Sequence, residues 1–398
     1  MNKHRPTSLR LSGWLCQDQA VLGVGLGALS LSLFALCYGL LSPALPLLAS
    51  AFGIGLVQQG SLMTAYAVGY LFAVVFGGYL ADRWSKERVL TCGLGLIGAG
   101  LVLTWAAPNY VSGLAALGVT GGGGGLIEMV VSAIVSDYVP DRRGSALNLL
   151  QLAFGLSAAS PIILTWLVDT EGSWRLGFVA LGGIAWVLGL LSLMLTSRGT
   201  PSEDRIDLRA VTLLARRPRL WAIAASQAAY VFSEVSLLSW SITFLVSGRG
   251  ISAARANGAL SLFWVALLAG RMLTTILAVR IRLDRLLILM TVAAMAGVVT
   301  LVLVADGEAA RILVGILGFL YAGIFGTIIA YAGDEFPRYS GTVFGLIMAA
   351  GAAGAVIGPW AVGAVAEAVT LEAALWLVAA TMGLTGVIYM ILGSPRQI

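Results

Sequence analysis

The chain has 398 residues, of which 59% are hydrophobic and only 11% are charged. Soluble proteins carry about 25% charged residues, so this composition excludes an ordinary soluble domain. The formal net charge is +5, but the basic residues lie in short segments between long apolar runs, so no nucleic-acid partner is expected. His4 is the single histidine and lies in the N-terminal tail, which excludes histidine proton transfer inside a membrane.

Twelve apolar runs recur along the chain, and each has about the 20 residues that a helix needs to cross a bilayer. Helices are expected rather than a β-barrel, because the runs lack the short alternating pattern of barrel strands. The sequence therefore predicts an all-α membrane protein with twelve transmembrane helices, the first of them uncleaved. The predicted spans are 21–50, 57–81, 89–107, 110–139, 143–168, 174–197, 219–248, 253–280, 284–305, 309–333, 339–367 and 370–393.

Basic residues are distributed unevenly between the two sides of these spans. Nineteen lysines and arginines fall in the two tails and in the loops on their side, whereas four fall in the opposite loops. Positively charged loops stay in the cytoplasm, so we expect both termini to be cytoplasmic in a bacterial-type inner membrane. Arg271 is the one basic residue that lies well inside a predicted span rather than near one of its ends.

The chain divides into related halves. Residues 198–218 form the one long polar connection, a cytoplasmic linker that separates a six-helix bundle at 1–197 from a second at 219–398. Repeated halves are typical of transporters whose site lies between them near the middle of the membrane. Three unlike residues recur at a constant offset of 197 positions, namely Asp137, Pro140 and Gly144 in the first half and Asp334, Pro337 and Gly341 in the second.

A charged loop joins the second and third spans and reads Gly78-Tyr-Leu-Ala-Asp82-Arg83-Trp-Ser85-Lys86-Glu-Arg88. It resembles the signature loop of the major facilitator superfamily, from which it departs at Ser85, where the family has glycine, and at Lys86, where it has arginine. The resemblance implies a twelve-helix transporter in which this loop gates the conformational change by pinning the halves together on the cytoplasmic side. The gating residues it implies are Gly78, Asp82, Arg83, Lys86 and Arg88.

The spans also carry a second set of residues that is informative when taken together. It consists of the glycine run 121–125 with Glu128, Arg143, Asn148, Phe154, Tyr230, Glu234, Trp240, Trp264 and Arg271. This set is similar to the fucose permease-like branch of that superfamily, whose members are mostly proton- or sodium-coupled sugar importers. In that branch an acid in the fourth span takes part in substrate recognition or coupling, and the resemblance gives this role to Glu128. The acid that some members have in the first span is absent, and Ser42 lies near its place.

The candidate site is built from polar groups inside apolar helices. A carboxylate is costly inside a bilayer, so an acid there usually faces a cavity. Glu128 shares a helical face with Ser132, and a polar stripe runs along the seventh span, so we expect both to face one compartment. The predicted substrate and proton-coupling residues are Glu128, Glu234, Arg271, Gln227, Tyr230, Asn148, Gln151, Ser132, Trp264 and Tyr38, with Trp240, Tyr321 and Tyr331 as further cavity candidates.

Other interpretations stay open for several of these residues. Trp264 and Trp240 suit either a face for stacking on a sugar or an anchor at the membrane interface. Arg271 either pairs with a glutamate, binds an anionic substrate or extends to the interface. Asn148 and Gln151 also suit hydrogen bonds between helices.

These features predict a secondary active transporter that moves a small polar, sugar-like solute by alternating access, with protons or sodium as the coupling ion. No enzyme activity, cofactor or metal is expected, because the glycine run lacks the Lys-Ser/Thr of a phosphate loop and the three cysteines lack metal-binding spacing. Two other hypotheses remain: an exporter of drugs, lipophilic cations or lipid-like molecules, and a receptor with the same fold. The expected partners are the small-molecule substrate and the lipid bilayer, and a monomer is expected.

Overall fold

The computed structural model describes residues 8–138, 152–170, 173–195, 214 and 216–396. Within these ranges every regular element is helical. Ten helices are long and apolar enough to cross a membrane, and two shorter apolar helices lie at Ala153–Asp169 and Leu176–Ser192. The predicted fold, twelve transmembrane helices in two six-helix halves, is thereby confirmed.

The first half opens with a long helix, α1, whose apolar membrane-spanning part begins at Leu22. The predicted start of the fifth span, at 143, and residues 196–213 of the chain, which hold most of the predicted linker, lie outside the described residues. The helices of this half are α1 (Ser8–Phe52), α2 (Leu56–Arg83), α3 (Lys86–Ala106), α4 (Tyr110–Tyr138), α5 (Ala159–Asp169, after a 3₁₀ segment at Leu152–Ala158) and α6 (Leu176–Ser192).

The second half differs from the prediction at the tenth span, 309–333, which is two helices. Gly323 separates them with a φ of +78°, a left-handed conformation that glycine adopts without a steric penalty. The helices of this half are α7 (Pro218–Thr243, extended by a π segment at Phe244–Gly248), α8 (Ala253–Ala278), α9 (Leu283–Leu303), α10a (Gly307–Tyr321), α10b (Ile324–Glu335), α11 (Ser340–Ala368) and α12 (Leu371–Leu392).

The offset of 197 residues seen in the sequence also relates the helices of the two halves. Helix α3 begins at Lys86 and α9 at Leu283, and α4 begins at Tyr110 and α10a at Gly307. Both pairs of starting residues are separated by 197 positions. The repeat is therefore a repeat of helix boundaries as well as of residues.

The same offset relates the closest helix contacts within each half. A methyl group added at Gly121 of α4 would lie 1.9 Å from the backbone oxygen of Tyr66 on α2. One added at Gly318 of α10a would lie 2.0 Å from the backbone oxygen of Phe263 on α8. Glycine at these two points lets the backbones touch, as small residues do at membrane helix interfaces. The two halves therefore share one packing scheme.

The halves meet tightly at the end of the bundle opposite the α2–α3 loop, where the start of α2 contacts the end of α11. The Thr64 hydroxyl donates to the backbone oxygen of Val356 at 2.7 Å. A methyl group added at Gly60 would lie 2.3 Å from the backbone oxygen of Pro359. Backbone contact this close excludes water, so this end of the interface between the halves is closed.

A carboxylate strengthens the same closed end. Glu367, near the end of α11, accepts a hydrogen bond from the backbone N–H of Val57 at 2.9 Å. Val57 lies in the first turn of α2, whose N-cap residue, Gly55, provides no side-chain cap. An acid at this position satisfies an unpaired helix N–H group and interacts favourably with the helix dipole. The second half thus caps a helix of the first.

Candidate functional site

The glycine run 121–125 positions α4 at the centre of the first half. A methyl group added at Gly123 would lie 2.6 Å from the backbone oxygen of Gly93 on α3, and one at Gly125 would lie 2.7 Å from that of Tyr70 on α2. One at Gly124 would lie 2.4 Å from the ring of Phe34 on α1. Helix α4 therefore touches three helices within a little more than one turn. This packing brings Glu128, the next turn of α4, against the neighbouring helices.

Glu128 is half-buried and has a defined partner. The Tyr70 hydroxyl of α2 donates to the Oε2 atom of Glu128 at 2.8 Å. Ser132, one turn further along α4, donates its hydroxyl to the backbone oxygen of Glu128 at 3.4 Å. The side chains predicted to share a face therefore lie together, and the sequence prediction had missed Tyr70.

Glu234 is the acid of the second half, and it is also half-buried. Tyr230, one turn earlier on α7, lies within electrostatic range of its carboxylate, and the Tyr230 hydroxyl donates to the backbone oxygen of Tyr321 at 3.5 Å. Arg271 of α8 interacts electrostatically with both Glu128 and Glu234. It makes no direct ion pair with a carboxylate in the described part of the chain. Tyr38 of α1 is also within electrostatic range of both acids. Two acids and one arginine from opposite halves thus converge.

Aromatic rings join the two halves beside these charges. The Tyr38 ring lies 6.0 Å from that of Tyr66 on α2 and 5.9 Å from that of Trp264 on α8. The Trp264 ring meets Tyr38 edge to face, at an interplanar angle of 76°. Such edge-to-face pairs are a favoured aromatic geometry. Tyr38 therefore lies between one aromatic residue of each half.

Gln227, the first residue of the polar stripe on α7, is packed more tightly than its neighbours. It is fully buried, and neither its Oε1 nor its Nε2 atom has a hydrogen-bond partner among the described residues. A methyl group added at Gly351 of α11 would lie 3.2 Å from its Cγ atom. Gln227 is therefore packed between α7 and α11, whereas Glu234, two turns further along α7, is half-buried.

Several cavity candidates prove to be packing residues. Trp240 is buried and donates its Nε1–H to the backbone oxygen of Pro359 at 3.1 Å, at the closed end. Tyr321 is buried, and its hydroxyl lies 2.6 Å from that of Ser233. Tyr331 receives a hydrogen bond from Arg219 at 3.0 Å, in a cluster at the far end of α7. The expectation that these three aromatic residues line the cavity is therefore wrong, because neighbouring helices cover them. Tyr321 and Tyr331 have their partners within the second half, whereas Trp240 packs between α11 and Gly60 of α2.

The predicted site and gate are only partly within the described residues. Asn148, Gln151 and Arg143 lie outside them, as does the side chain of Asp82, whereas Gly78 lies in α2. Arg83 ends α2 and Lys86 begins α3, so both flank the predicted gating loop, and Arg88 follows in the first turn of α3. The departure from the family pattern at Ser85 has a local reason. Ser85 is the N-cap of α3, where its hydroxyl accepts from the Arg88 N–H at 3.4 Å.

Two further residues in this region were absent from the sequence prediction. The hydroxyl groups of Tyr66 and Ser261 are buried without a hydrogen-bond partner among the described residues. Ser261 lies three residues before Trp264 on α8, and Tyr66 four residues before Tyr70 on α2. These spacings place each pair on one helical face, which is the signal that would have found them.

Comparison with known proteins supports the same architecture. The sequence model of the Major Facilitator Superfamily matches residues 27–359. The chain is 24% identical over 395 residues to the cis,cis-muconate transport protein of Acinetobacter baylyi, covering 90% of both chains. It is also 24% identical over 388 residues to the fosmidomycin resistance protein of Escherichia coli, covering 94% of this chain and 93% of that protein.

Solved structures with little sequence identity share the fold. The nucleoside transporter NupG superposes with a TM-score of 0.79 at 13% identity, covering 94% of this chain and all of the other. The Escherichia coli fucose:proton symporter FucP superposes with a TM-score of 0.67 at 19% identity, covering 96% of this chain and 100% of that one. Because the family match spans most of the sequence and these folds cover nearly all of it, the chain belongs to the Major Facilitator Superfamily of membrane transporters.

Proposed function

We propose that this protein is a secondary active transporter that moves a small polar, sugar-like solute across the inner membrane, coupled to protons. The observation that carries this proposal is that Glu128 and Glu234, from opposite halves, both lie within electrostatic range of Arg271 and of Tyr38. A site shared by both halves is the arrangement that alternating access requires. The moving units are the bundles 1–197 and 219–398, joined by the linker 198–218, with both termini in the cytoplasm.

The charges in this cluster suggest how proton binding drives the cycle. Two carboxylates and one guanidinium carry a net negative charge when both acids are ionised, and no net charge once one acid is protonated. Burying a net charge in a low-dielectric interior is costly. The cluster therefore favours closure of the halves around it after a proton has bound. A polar solute that pairs with the remaining groups would lower the cost of closure further.

Several residues would have defined roles in this mechanism. Glu128 would carry the coupling proton, with Tyr70 holding the carboxylate in place, and Glu234 would face it from the second half. Arg271 would neutralise whichever acid stays ionised. The remaining predicted contacts to solute are Gln227, Tyr230, Ser132, Asn148, Gln151, Trp264 and Tyr38, and the loop residues Gly78, Asp82, Arg83, Lys86 and Arg88 would gate the cytoplasmic side.

Transport into proteoliposomes tests the proposal. The purified protein is reconstituted, and uptake of labelled D-xylose, L-fucose, D-galactose and uridine is measured with an imposed pH gradient, with a sodium gradient and with neither. We expect accumulation of at least one solute with the pH gradient alone. Accumulation only with the sodium gradient would show that sodium, and not the proton, is the coupling ion. No uptake of any of the four solutes under any gradient would contradict the proposal.

A second candidate function is export of drugs or lipophilic cations. The aromatic rings of Tyr38, Tyr66 and Trp264 beside two carboxylates and one arginine favour it, since such a cavity suits a hydrophobic cation. The similarity to the fosmidomycin resistance protein is consistent with export. Active extrusion of ethidium from cells that express the chain, with no sugar uptake by proteoliposomes, would favour this function.

Alternating access gives the Glu367 contact a testable role. Replacing Glu367 by alanine removes the cap that the second half provides to α2, which we expect to destabilise the closed end by roughly 1 kcal/mol. A cysteine at Thr64, in a background without Cys16, Cys37 and Cys92, should then react about fivefold faster with a membrane-impermeant maleimide.

Glu372 provides the matched control for this variant. It is an acid near the same end of the bundle, but it pairs with Arg249 of its own half at 2.8 Å. Glu372→Ala should leave the labelling rate at position 64 unchanged. Equal acceleration by both variants would show that Glu367 is not a specific contact between the halves.

A further inference from the structure

Three buried polar groups on α2 and α8 lack hydrogen-bond partners among the described residues. The Tyr66 hydroxyl, the Ser261 hydroxyl and the Trp264 Nε1–H group are at least nine-tenths buried, with exposed fractions of 4%, 6% and 5% for the three residues. None of the three has a hydrogen-bond partner among the described residues. A buried polar group without a partner is unfavourable for folding, so such groups call for an explanation.

Two of these groups are carried by rings that meet at Tyr38, and the third lies one turn from Trp264 on α8. Tyr66 is on α2 of the first half, and its hydroxyl faces α4, where a methyl group added at Gly124 would lie 3.2 Å from it. Trp264 is on α8 of the second half, and Ser261 is on the preceding turn of the same helix. The Tyr38 ring lies between the rings of Tyr66 and Trp264.

We infer that Tyr66, Ser261 and Trp264 are specificity-determining residues that hydrogen-bond a polyhydroxylated, uncharged solute from both sides when the halves close around it. This rests on the proposed transport function and adds residues that the sequence did not indicate. The chemistry of the three groups supports the assignment: an indole N–H only donates, whereas the two hydroxyls donate or accept. A solute hydroxyl also does both, so it satisfies any of them.

The same groups discriminate against other classes of solute. A site built to hydrogen-bond hydroxyls rejects a ligand without them, because its buried polar groups then stay unpaired. A lipophilic cation without hydroxyl groups would leave all three unpaired. Trp264 contributes the edge of its ring here rather than a stacking face, because its unpaired N–H group lies on that edge.

Conservative variants separate this role from a structural one. Tyr66→Phe and Ser261→Ala each remove only a hydroxyl group that has no protein partner, whereas Trp264→Phe also removes buried ring atoms and is therefore judged by solute affinity alone. Removing either hydroxyl group breaks no internal hydrogen bond, so we expect the melting temperature of the ligand-free protein to stay the same or to rise, as is common at binding sites. The affinity for the solute should fall about tenfold for each lost hydrogen bond.

Two residues of the second half serve as matched controls. The Ser233 hydroxyl lies 2.6 Å from that of Tyr321 and donates to the backbone oxygen of Val378 at 2.9 Å. Tyr321→Phe and Ser233→Ala therefore make the same chemical changes as Tyr66→Phe and Ser261→Ala, but they break internal hydrogen bonds. These controls should lower the melting temperature and change the solute affinity by less than about threefold.

The measurement is thermal unfolding of the purified full-length protein, without any ion gradient, in D-xylose, L-fucose, D-galactose or uridine and in tetraphenylphosphonium. The inference expects stabilisation of the wild type by at least one hydroxylated solute, because a ligand that binds only the folded state raises its melting temperature. That stabilisation should weaken in Tyr66→Phe, Ser261→Ala and Trp264→Phe. Stabilisation by tetraphenylphosphonium alone, or by none of the probes, would overturn it.

The outcomes also separate this inference from the proposed function. If binding weakens in the three variants but no gradient-driven uptake occurs, the assignment of the binding residues stands and coupled transport is refuted. Gradient-driven uptake with binding unchanged in all three variants would retain the transport function and refute the assignment of these residues. If Tyr66→Phe and Ser261→Ala lower the melting temperature of the ligand-free protein as much as the controls do, the two hydroxyl groups have a structural role and the inference is refuted.

Discussion

Replacing Glu128 by glutamine is expected to abolish proton-driven accumulation while leaving solute exchange intact. Glutamine has the same shape and still accepts the hydrogen bond that Tyr70 donates, but it cannot bind or release the coupling proton. The cluster then holds Glu234 and Arg271, whose charges cancel at every stage of the cycle. The halves should still close around solute, so the variant should exchange labelled for unlabelled solute across the membrane.

The size of this effect follows from the gradient. A pH difference of one unit supports an accumulation of about tenfold for one proton per solute. In Glu128→Gln the accumulation ratio should fall to about one, whereas counterflow should persist. Tyr70→Phe is the matched control, because it removes the hydrogen-bond donor and keeps the titratable acid. It should retain accumulation, at a reduced rate. Full accumulation in Glu128→Gln would show that another group carries the proton.

Replacing Gly121 by alanine is expected to destabilise the first half severely. The added methyl group would lie 1.9 Å from the backbone oxygen of Tyr66, and a backbone atom cannot rotate away as a side chain does. Helices α2 and α4 would have to separate along their contact. Inserting a methyl group into a well-packed interior typically costs about 1–3 kcal/mol, and we expect roughly 3 kcal/mol or more here. Thermal unfolding of the detergent-purified protein measures the loss.

The adjacent glycine provides an internal control. A methyl group added at Gly122 would lie 3.7 Å from the backbone oxygen of Gly69, which is an ordinary contact distance. Gly122→Ala should therefore unfold at nearly the wild-type temperature. Gly318→Ala should behave like Gly121→Ala, because the equivalent methyl group would lie 2.0 Å from the Phe263 oxygen. Equal stability of the variants at positions 121 and 122 would show that these helices adjust freely.

The acids of the site break the symmetry of the repeat. At the 197-residue offset, the counterpart of Glu128 is Phe325, and the counterpart of Glu234 is Cys37. The scaffold is therefore repeated, as the Gly121 and Gly318 contacts indicate, whereas the charged groups are not. In a carrier whose two halves bind different parts of a solute, and in which only one half binds the coupling ion, the two halves need different charged groups. It also explains why the sequence repeat alone did not pair the two acids.

The sequence by itself determined the twelve apolar helices, the repeat and the two acids. Each of these depends on a local or periodic property: the length of an apolar run, a constant offset, or the high cost of a carboxylate inside a bilayer. The glycine run was visible too, but its function was not. Which of its glycines touch a backbone depends on how α1, α2 and α3 surround α4.

Only the tertiary structure decided which polar and aromatic side chains share the site. Periodicity predicts which residues share one face of a helix, but not which helix that face meets. Trp240, Tyr321 and Tyr331 looked like cavity residues, yet neighbouring helices cover them, including α2 of the other half in the case of Trp240. The partner of Glu128 is a tyrosine 58 positions earlier in the chain, and the unpaired groups of Tyr66 and Ser261 belong to different halves. Hydrogen bonds formed between distant segments are determined by packing, and that is why the sequence did not reveal them.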